Sequence, residues 1–396
     1  MTLLTWIFAA YLVLGLIYWA FSIAGIILAM RSIPVLRTAG GATGIARPSV
    51  SVIMAACNEE GTIEPAVRGL LADDNPGLEV ILVDDRSTDD TGAIIDRIAA
   101  QEPRIRAVHV RELPEGWLGK VHALKCGAEI AKGEWLLFSD ADVHIKPGTI
   151  EAVIEHCRRH KLDFLAGIPR VWKADFPVDA GIAMALRSVM VGMRVWAVSD
   201  PKSSAFMGVG AFDLVRRDAL MRTGGFELIR LGVADDAALG MVMKQSGAAC
   251  AMVNLRDHVG LYWYRHWRDL AVGSEKSYAT MARCNPWRGA VVLAVAMAAE
   301  LSPLAAVVAW GHPAIQWAGA VAAATIAAAL ALAARWFGRP MPSAALWPIG
   351  VFVMLSICVR ATFLGVRRGG LMWRGTLYRS KNLREGMHVR FPARRR

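Results

Sequence analysis

The chain has 396 residues, 55% of them hydrophobic, and its mean hydropathy is +0.37, which is high for a purely soluble enzyme. This length allows one sizeable α/β domain plus membrane spans. The net charge of +11 is concentrated beside apolar segments and in residues 360–396, a placement that favours contact with anionic lipid and argues against a nucleic acid partner.

The first predicted element is a membrane-spanning helix at residues 1–30. Residues 3–30 contain no charge, and they exceed the roughly 20 apolar residues that a span needs. A cleaved signal peptide is the alternative, although the apolar run is long for one and lacks a basic start. Residues 31–47 contain three arginines and no acidic residue, which predicts a cytoplasmic linker.

A different pattern begins at residue 48, where short apolar strands alternate with helices. This alternation predicts a mostly parallel, doubly wound sheet in a cytoplasmic domain at 48–288. Strands are predicted at 50–55, 79–83, 105–110 and 135–139, with helices at 62–72, from 89 or 90 to 100, and at 120–131. The six cysteines are scattered without a C-x-x-C pair, which predicts reduced thiols and no zinc or disulfide framework.

A helical stretch at 176–198 is rich in aliphatic residues and also carries Arg187, Arg194 and Trp196. An ordinary core helix explains this composition. A helix lying at the membrane surface explains it as well, because apolar and basic faces are both favoured there. Both interpretations stay open.

Three apolar stretches of spanning length follow, at 290–310, 314–334 and 344–363. The first contains Glu300 and Pro303, and the third ends near Arg360, whose side chain can snorkel. The arginine-rich segment 367–396 predicts a cytoplasmic tail. Because a cytoplasmic domain and a cytoplasmic tail need an even number of spans between them, we expect two full spans in 289–366 and one interfacial or re-entrant stretch.

Two acidic residues one position apart, Asp140 and Asp142, close the predicted strand at 135–139. Period-two geometry places them on one side of the chain, and open α/β sheets bind ligands at the carboxyl ends of strands. The pair suits Mg²⁺ or Mn²⁺ holding phosphates, because Mg²⁺ takes only one or two protein carboxylates. A solvated turn is the alternative. His144 is a candidate second ligand, although a surface turn explains it more simply.

Other polar residues fall at the ends of predicted elements. Acidic pairs end the second strand at 84–85 and open a helix at 235–236. The second pair either caps the helix dipole or supplies a general base beside an acceptor hydroxyl. Lys120 follows a glycine turn and is either a diphosphate ligand or a solvated lysine. The turn at 55–59 ends the first strand, where its backbone could frame a nucleotide base.

Four motifs in order resemble the inverting family 2 glycosyltransferases of the GT-A fold: 50–60 (VSVIMAACNEE), 83–89 (VDDRSTD), 140–142 (DAD) and 235–236 (DD). The resemblance covers about 48–287. It implies an α/β domain of the Rossmann-like GT-A fold with a mostly parallel sheet, flanked by transmembrane helices. Segments 113–120 (LPEGWLGK) and 373–378 (WRGTLY) further resemble the membrane-bound branch that includes carotenoid, hopanoid-associated and ceramide glycosyltransferases.

On the donor side, the resemblance implies that Asp85 contacts the nucleotide base and Asp140 lies by the ribose and sugar. Asp142 would bind the Mg²⁺ or Mn²⁺ ion that bridges the diphosphate. The matching donor-binding residues are Ala56, Asn58, Glu59, Asp85, Lys120 and Asp140.

On the acceptor side, the resemblance implies that Asp236 is the catalytic base, with Asp235 before it. The segment 207–212 matches the acceptor loop, through Gly208, Gly210 and Phe212. Its glycines permit a close approach of the backbone.

One departure from the family pattern concerns the Q-x-x-R-W motif of processive members. The corresponding segment, 262–268, reads YWYRHWR and contains no glutamine. Arg265 and Trp267 could still bind the diphosphate, or the cluster could be an aromatic belt at the membrane interface. The missing motif favours the addition of a single sugar.

The sequence therefore predicts a multi-pass enzyme of the inner (plasma) membrane with a cytoplasmic catalytic domain. It would move one sugar from a nucleotide-diphosphate sugar, with UDP-sugar expected, to a hydroxyl or carboxyl of a membrane lipid. A processive polysaccharide synthase and an inactive nucleotide-sugar-binding scaffold are the alternatives.

Overall fold

The structure is a computed structural model that describes residues 3–36, 48–281, 285–309, 312–373 and 376–386. Its helices are α1 (Leu3–Ser32), α2 (Ile63–Leu71), α3 (Thr91–Gln101), α4 (Gly119–Ile130), α5 (Thr149–His160), α6 (Phe176–Gly192), α7 (Arg217–Met221), α8 (Asp235–Gln245), α9 (Trp267–Met281), α10 (Pro286–Val307), α11 (Pro313–Trp336), α12 (Met341–Ala345), α13 (Trp347–Arg368) and α14 (Ser380–Gly386). Its strands are β1 (Val50–Ala56), β2 (Leu78–Asp85), β3 (Ile105–Val110), β4 (Trp135–Asp140), β5 (His144–Ile145), β6 (Phe164–Ile168), β7 (Arg170–Val171), β8 (Asp213–Arg216), β9 (Cys250–Asn254), β10 (Val259–Leu261), β11 (Gly370–Trp373) and β12 (Thr376–Arg379).

The described residues form two compact units. The sheet unit consists of those within Ile33–Trp172, Ala197–Tyr262 and Glu385–Arg396, and the helical unit of those within Met1–Ser32, Lys173–Trp196 and Trp263–Arg384. This grouping assigns α6 and α9 to the helical unit. The boundaries predicted from the sequence, at 48 and 288, stay a prediction.

The main sheet has the strand order β3-β2-β1-β4-β8-β6-β9. Strands β3, β2, β1 and β4 are parallel, and so are β6 and β9, whereas β8 is antiparallel to both β4 and β6. Every residue of β1 is buried, as expected for a strand covered on both faces. The predicted mostly parallel sheet is therefore confirmed. The antiparallel β8 was not predicted, because four residues give too short a pattern.

The register of the sheet brings the polar strand ends to one edge. Ala56 of β1 lies opposite Asp84 of β2, and Ala55 lies opposite Asp140 of β4. Since these strands are parallel, the acidic residues that end β2 and β4 lie at the same edge as the turn after β1. A small second sheet has the strand order β5-β10-β7, and its strand β5 begins two residues after Asp142.

Within the described residues of the helical unit, α1, α11, α13 and the Trp287–Val307 portion of α10 are long and apolar enough to cross a membrane. All three predicted C-terminal stretches therefore have spanning length, and the expectation that only two of them span stays a prediction. Helix α6 packs against α1, α12 and α13 and buries Arg187, as the core-helix interpretation requires.

The acidic residue in the apolar α10 has partners inside the helical unit. The Arg187 guanidinium of α6 pairs with the Glu300 carboxylate, and the Tyr18 hydroxyl donates to the same carboxylate. The Trp19 and Trp347 indole N–H groups donate to the Glu300 carbonyl at 3.3 and 3.4 Å. Because Glu300 is 1% exposed and buried charges need partners, this cluster explains how a carboxylate is tolerated in an apolar helix.

Candidate active site

The end of β2 is packed tightly against the start of α4. Asp85 is fully buried, and its Oδ1 accepts a hydrogen bond from Arg86 Nε at 2.9 Å. A Cβ on Gly119 would lie 2.5 Å from Asp85 Oδ2, so a residue without a side chain is needed there. This close approach places the first turn of α4, with Lys120, beside the predicted base-contacting residue.

The first acidic residue of the same pair, Asp84, serves the turn after β2. Its Oδ1 accepts from the Ser87 backbone N–H at 3.1 Å, and its Oδ2 lies 3.1 Å from His109 Nδ1. His109 Nε2 lies 2.8 Å from Asp96 Oδ1. Burial alone lowers the pKa of His109, but hydrogen bonds to Asp96 and Asp84 outweigh it and raise that pKa above the ordinary value. Sequence reasoning did not identify His109.

The predicted base-binding turn after Ala56 is held by the turn after β2. The Asn58 N–H donates to Ser87 Oγ at 3.1 Å, and Asn58 Oδ1 accepts from the Thr88 N–H at 2.8 Å. The Glu59 N–H donates to the hydroxyl of Thr91 at 2.7 Å. Ala56 is buried at the strand end. These bonds fix the shape of the turn, and its contact with a nucleotide stays a prediction.

Lys120 joins the strand-end carboxylate to the helix-start carboxylate. Its Nζ lies 2.6 Å from Asp140 Oδ1 and 2.8 Å from Asp235 Oδ2. Burial alone lowers the pKa of Lys120, but the charges of Asp140, Asp235 and Asp236 outweigh it and raise the pKa above its ordinary value. The ammonium group therefore stays charged and pairs with acids of this unit. Its predicted contact with a diphosphate stays a prediction.

The predicted acceptor loop runs between the two acidic groups. The Asp140 N–H donates to the Gly210 carbonyl at 2.9 Å, and the Gly210 N–H donates to Asp236 Oδ2 at 3.1 Å. A Cβ on Gly210 would lie 2.8 Å from Asp140 Oδ2, and one on Gly208 would overlap the Asp236 backbone. Both positions therefore require glycine for a close approach. Phe212, which ends the loop, is fully buried in the core.

Asp213 is an acidic residue of this site that sequence reasoning missed. It is 1% exposed at the start of β8, and its Oδ1 accepts from the Val209 N–H at 2.8 Å. Burial, followed by the charges of Asp236 and Asp235, raises the pKa of Asp213 well above its ordinary value. Its position directly after the glycine loop was visible in the sequence, but the strand that buries it was not predicted.

Asp142 fits the predicted metal role by its surroundings. Burial, followed by the charges of Asp140 and Glu59, raises the pKa of Asp142 to about 7. A divalent cation would relieve this crowding of negative charge. Within the described part of the chain, no three His, Cys, Asp or Glu side chains form a metal-binding group. A pair of carboxylates nonetheless suits Mg²⁺ or Mn²⁺, because such ions keep waters and take the remaining ligands from substrate phosphates.

Three further residues predicted from the sequence are His144, Arg265 and Trp267. The His144 ring packs against Trp172, with 5.1 Å between ring centroids. Arg265 and Trp267 are exposed, and Trp267 begins α9 in the helical unit. Their predicted contacts with metal or donor stay predictions.

Comparison with known proteins gives three kinds of match. Residues 51–223 match the model of glycosyl transferase family 2. The beta-monoglucosyldiacylglycerol synthase of Synechocystis sp. is 32% identical over 164 residues, covering 39% of this chain and 33% of that protein. The 4,4'-diaponeurosporenoate glycosyltransferase of Staphylococcus haemolyticus is 24% identical over 198 residues, covering 50% of this chain and 52% of that protein. This chain spans between 21% and 52% of the length of such relatives.

A solved structure has the same fold. A mannosyltransferase of Pyrobaculum calidifontis, in complex with GDP-Man and Mn²⁺, superposes with a TM-score of 0.52 at 22% identity, covering 90% of this chain and 95% of that one. The GT-A fold with flanking apolar helices is thereby confirmed. The match places a family 2 glycosyltransferase domain at residues 51–223.

Proposed function

We propose that the protein transfers one sugar, with inversion, from a nucleotide-diphosphate sugar to a hydroxyl or carboxyl group of a membrane lipid. The observation that carries this proposal is the pairing of Lys120 with both Asp140 and Asp235, the residue before Asp236. Lys120 thereby joins the strand end that carries a donor-side carboxylate to the helix start that carries the acceptor-side base. UDP-sugar stays the expected donor, and the expected location is the plasma membrane with the sheet unit in the cytoplasm.

The names of two relatives support a lipid acceptor. One is a synthase of monoglucosyldiacylglycerol, and the other glycosylates diaponeurosporenoate. The four helices of spanning length support a membrane location. An apolar acceptor partitions into the bilayer, so an enzyme held there meets it at high local concentration.

The proposed mechanism assigns different roles to the two neighbouring acids. Asp235 is buried and paired with Lys120, whereas Asp236 is partly exposed and its Oδ2 is oriented by the Gly210 N–H. Asp236 is therefore the group that takes the proton from the acceptor hydroxyl as its oxygen attacks the anomeric carbon. The bond from that carbon to the diphosphate breaks, and the configuration inverts.

Asp142, with Asp140 beside it, would hold Mg²⁺ or Mn²⁺. The ion would supply charge stabilisation for the leaving diphosphate. Asp85 and the turn at 56–59 would position the nucleotide base. Lys120 keeps the Asp140 and Asp235 carboxylates in place for this arrangement.

Asp236→Asn should reduce turnover by about 10²- to 10⁴-fold, the usual contribution of a general base, and leave donor binding nearly unchanged. The measurement incubates purified protein with radiolabelled nucleotide sugars and native lipid extract, and counts the label in the lipid fraction. Near-normal labelling by the variant would show that Asp236 is not the base. No labelled lipid with any donor, from well-folded native protein, would refute the proposed function.

Gly210→Ala should reduce turnover by about 10²-fold, the cost of misplacing catalytic groups by about 1 Å, because the new methyl group would crowd Asp140 Oδ2. Gly61→Ala is the matched control, since a Cβ there meets nothing within 4 Å. The same labelling assay compares the two variants, with thermal unfolding as the check on folding. Equal activity of both variants would exclude the tight loop as a catalytic requirement.

Asp142→Asn should abolish the dependence of nucleoside diphosphate binding on Mn²⁺. Calorimetric titration of UDP and GDP with and without Mn²⁺ measures this directly. Native protein should bind more tightly with the ion, and the control Asp74→Asn, at an exposed carboxylate, should behave like it. If Asp142→Asn keeps the full Mn²⁺ effect, the metal lies elsewhere.

A further inference from the structure

A short β-hairpin directly follows the apolar helix α13. Gly369, at a φ of 65°, ends the helix in the left-handed conformation, and β11 begins at the next residue. The two strands are antiparallel, with Met372 opposite Leu377. The Ser380 N–H donates to the Gly369 carbonyl at 3.0 Å. The hairpin therefore starts and finishes at the end of α13.

Contacts within the helical unit fix the hairpin and the end of α13 to helix α9. The Lys276 ammonium lies 5.3 Å from the centre of the Trp373 ring, a favourable cation–π distance. The carboxylate of Glu275 accepts from Arg360 at 2.5 Å and from Arg368 at 3.3 Å. The hairpin thus has a defined orientation in the helical unit.

The opposite face of the hairpin is exposed and combines apolar with basic groups. Met372 and Leu377, paired across the strands, are 37% and 42% exposed. Arg367, Arg379 and Lys381 are also exposed. Between residues 360 and 384 the sequence contains no acidic residue. A surface with adjoining apolar and basic groups is typical of segments that lie at a lipid–water interface.

We propose that the hairpin face carrying Met372, Leu377 and Arg379, together with the exposed Arg367 of α13 and Lys381 of α14, binds the headgroup region of an anionic lipid bilayer. The inference rests on the proposed membrane placement, in which α13 is a span. The end of a span lies at headgroup depth, and the hairpin begins two residues after Arg368. Met372 and Leu377 would enter the interface while the three cations meet lipid phosphates.

Anionic lipid is the occupant that the charges favour, because every charged side chain of the face is positive. Attraction of basic residues to anionic headgroups falls off within a Debye length, so the hairpin has to lie at the surface for its cations to contribute. The proposal also gives a role to the segment 373–378, which the transfer mechanism does not use.

Amide hydrogen exchange on the full-length native protein tests this inference. The protein is placed in nanodiscs of phosphatidylcholine alone, or of phosphatidylcholine with about a third phosphatidylglycerol, and peptides covering 370–386 are compared. We expect exchange of the hairpin amides to slow several-fold in the anionic bilayer. Peptides from α5 should exchange equally in both, because nothing in the proposal places α5 at the lipid surface.

Two variants make the result specific. Arg367→Gln, Arg379→Gln and Lys381→Gln together should remove the difference between the bilayers. The charge-matched control Arg68→Gln, Arg159→Gln and Arg222→Gln changes exposed arginines of the sheet unit and should retain the difference. Equal hairpin exchange of the native protein in the two bilayers would overturn the proposal. So would an equal loss of the difference in both triple variants. Neither outcome depends on glycosyltransferase activity.

Discussion

One buried ammonium group holds the candidate active site together. Lys120 reaches from the first turn of α4 to the end of β4 and to the start of α8, where it pairs with Asp140 and Asp235. Without this cation, the buried carboxylate of Asp235 would lie near two further acids, Asp236 and the buried Asp213, and would lose the positive charge that offsets it. Removing one partner of a buried ion pair leaves an uncompensated charge, which costs about 3–5 kcal/mol. This pairing links the start of α8 to the end of β4.

The glycine loop is the second part of the same constraint. Because Lys120 draws the end of β4 and the start of α8 together, the chain between Gly208 and Gly210 has to pass through a narrow space. The Gly210 peptide group fills that space and bonds to both sides, accepting from the Asp140 N–H and donating to Asp236. The two acids at the start of α8 consequently differ. Asp235 is paired with Lys120. Asp236 stays partly exposed and is oriented by the Gly210 N–H, as its proposed role of general base requires.

The family resemblance indicated the glycine loop, whereas local pattern in the sequence was enough to predict the parallel strands and their acidic ends. These features depend on neighbouring residues, such as the apolar run of β1 or the spacing of Asp140 and Asp142. Features that depend on distant partners were not predictable in this way. The importance of Asp213 comes from α8, more than twenty positions later, and from the short strand β8. From the sequence alone, Glu300 makes the stretch at 290–310 a poorer candidate for a membrane span, because its partner Arg187 lies on another helix.

In both the candidate active site and the helical unit, the positive charge of an arginine or lysine allows a carboxylate to be buried. One such pair in the helical unit is Arg187 with Glu300, and one in the sheet unit is Lys120 with Asp235. Only the second lies among residues that the family resemblance connects with chemistry. The other pair serves to join helices. Buried ion pairs therefore identify a candidate active site only when strand ends and a motif coincide with them.

Thermal unfolding of three variants tests whether Lys120 holds the acidic groups in place. Lys120→Met should unfold at a clearly lower temperature than the native protein, and Lys120→Met combined with Asp235→Asn should recover part of that loss. The control Lys125→Met removes a surface lysine that pairs with Glu129 and should change stability by about 1 kcal/mol or less. If Lys120→Met unfolds at the same temperature as Lys125→Met, the ammonium group does not hold this site together.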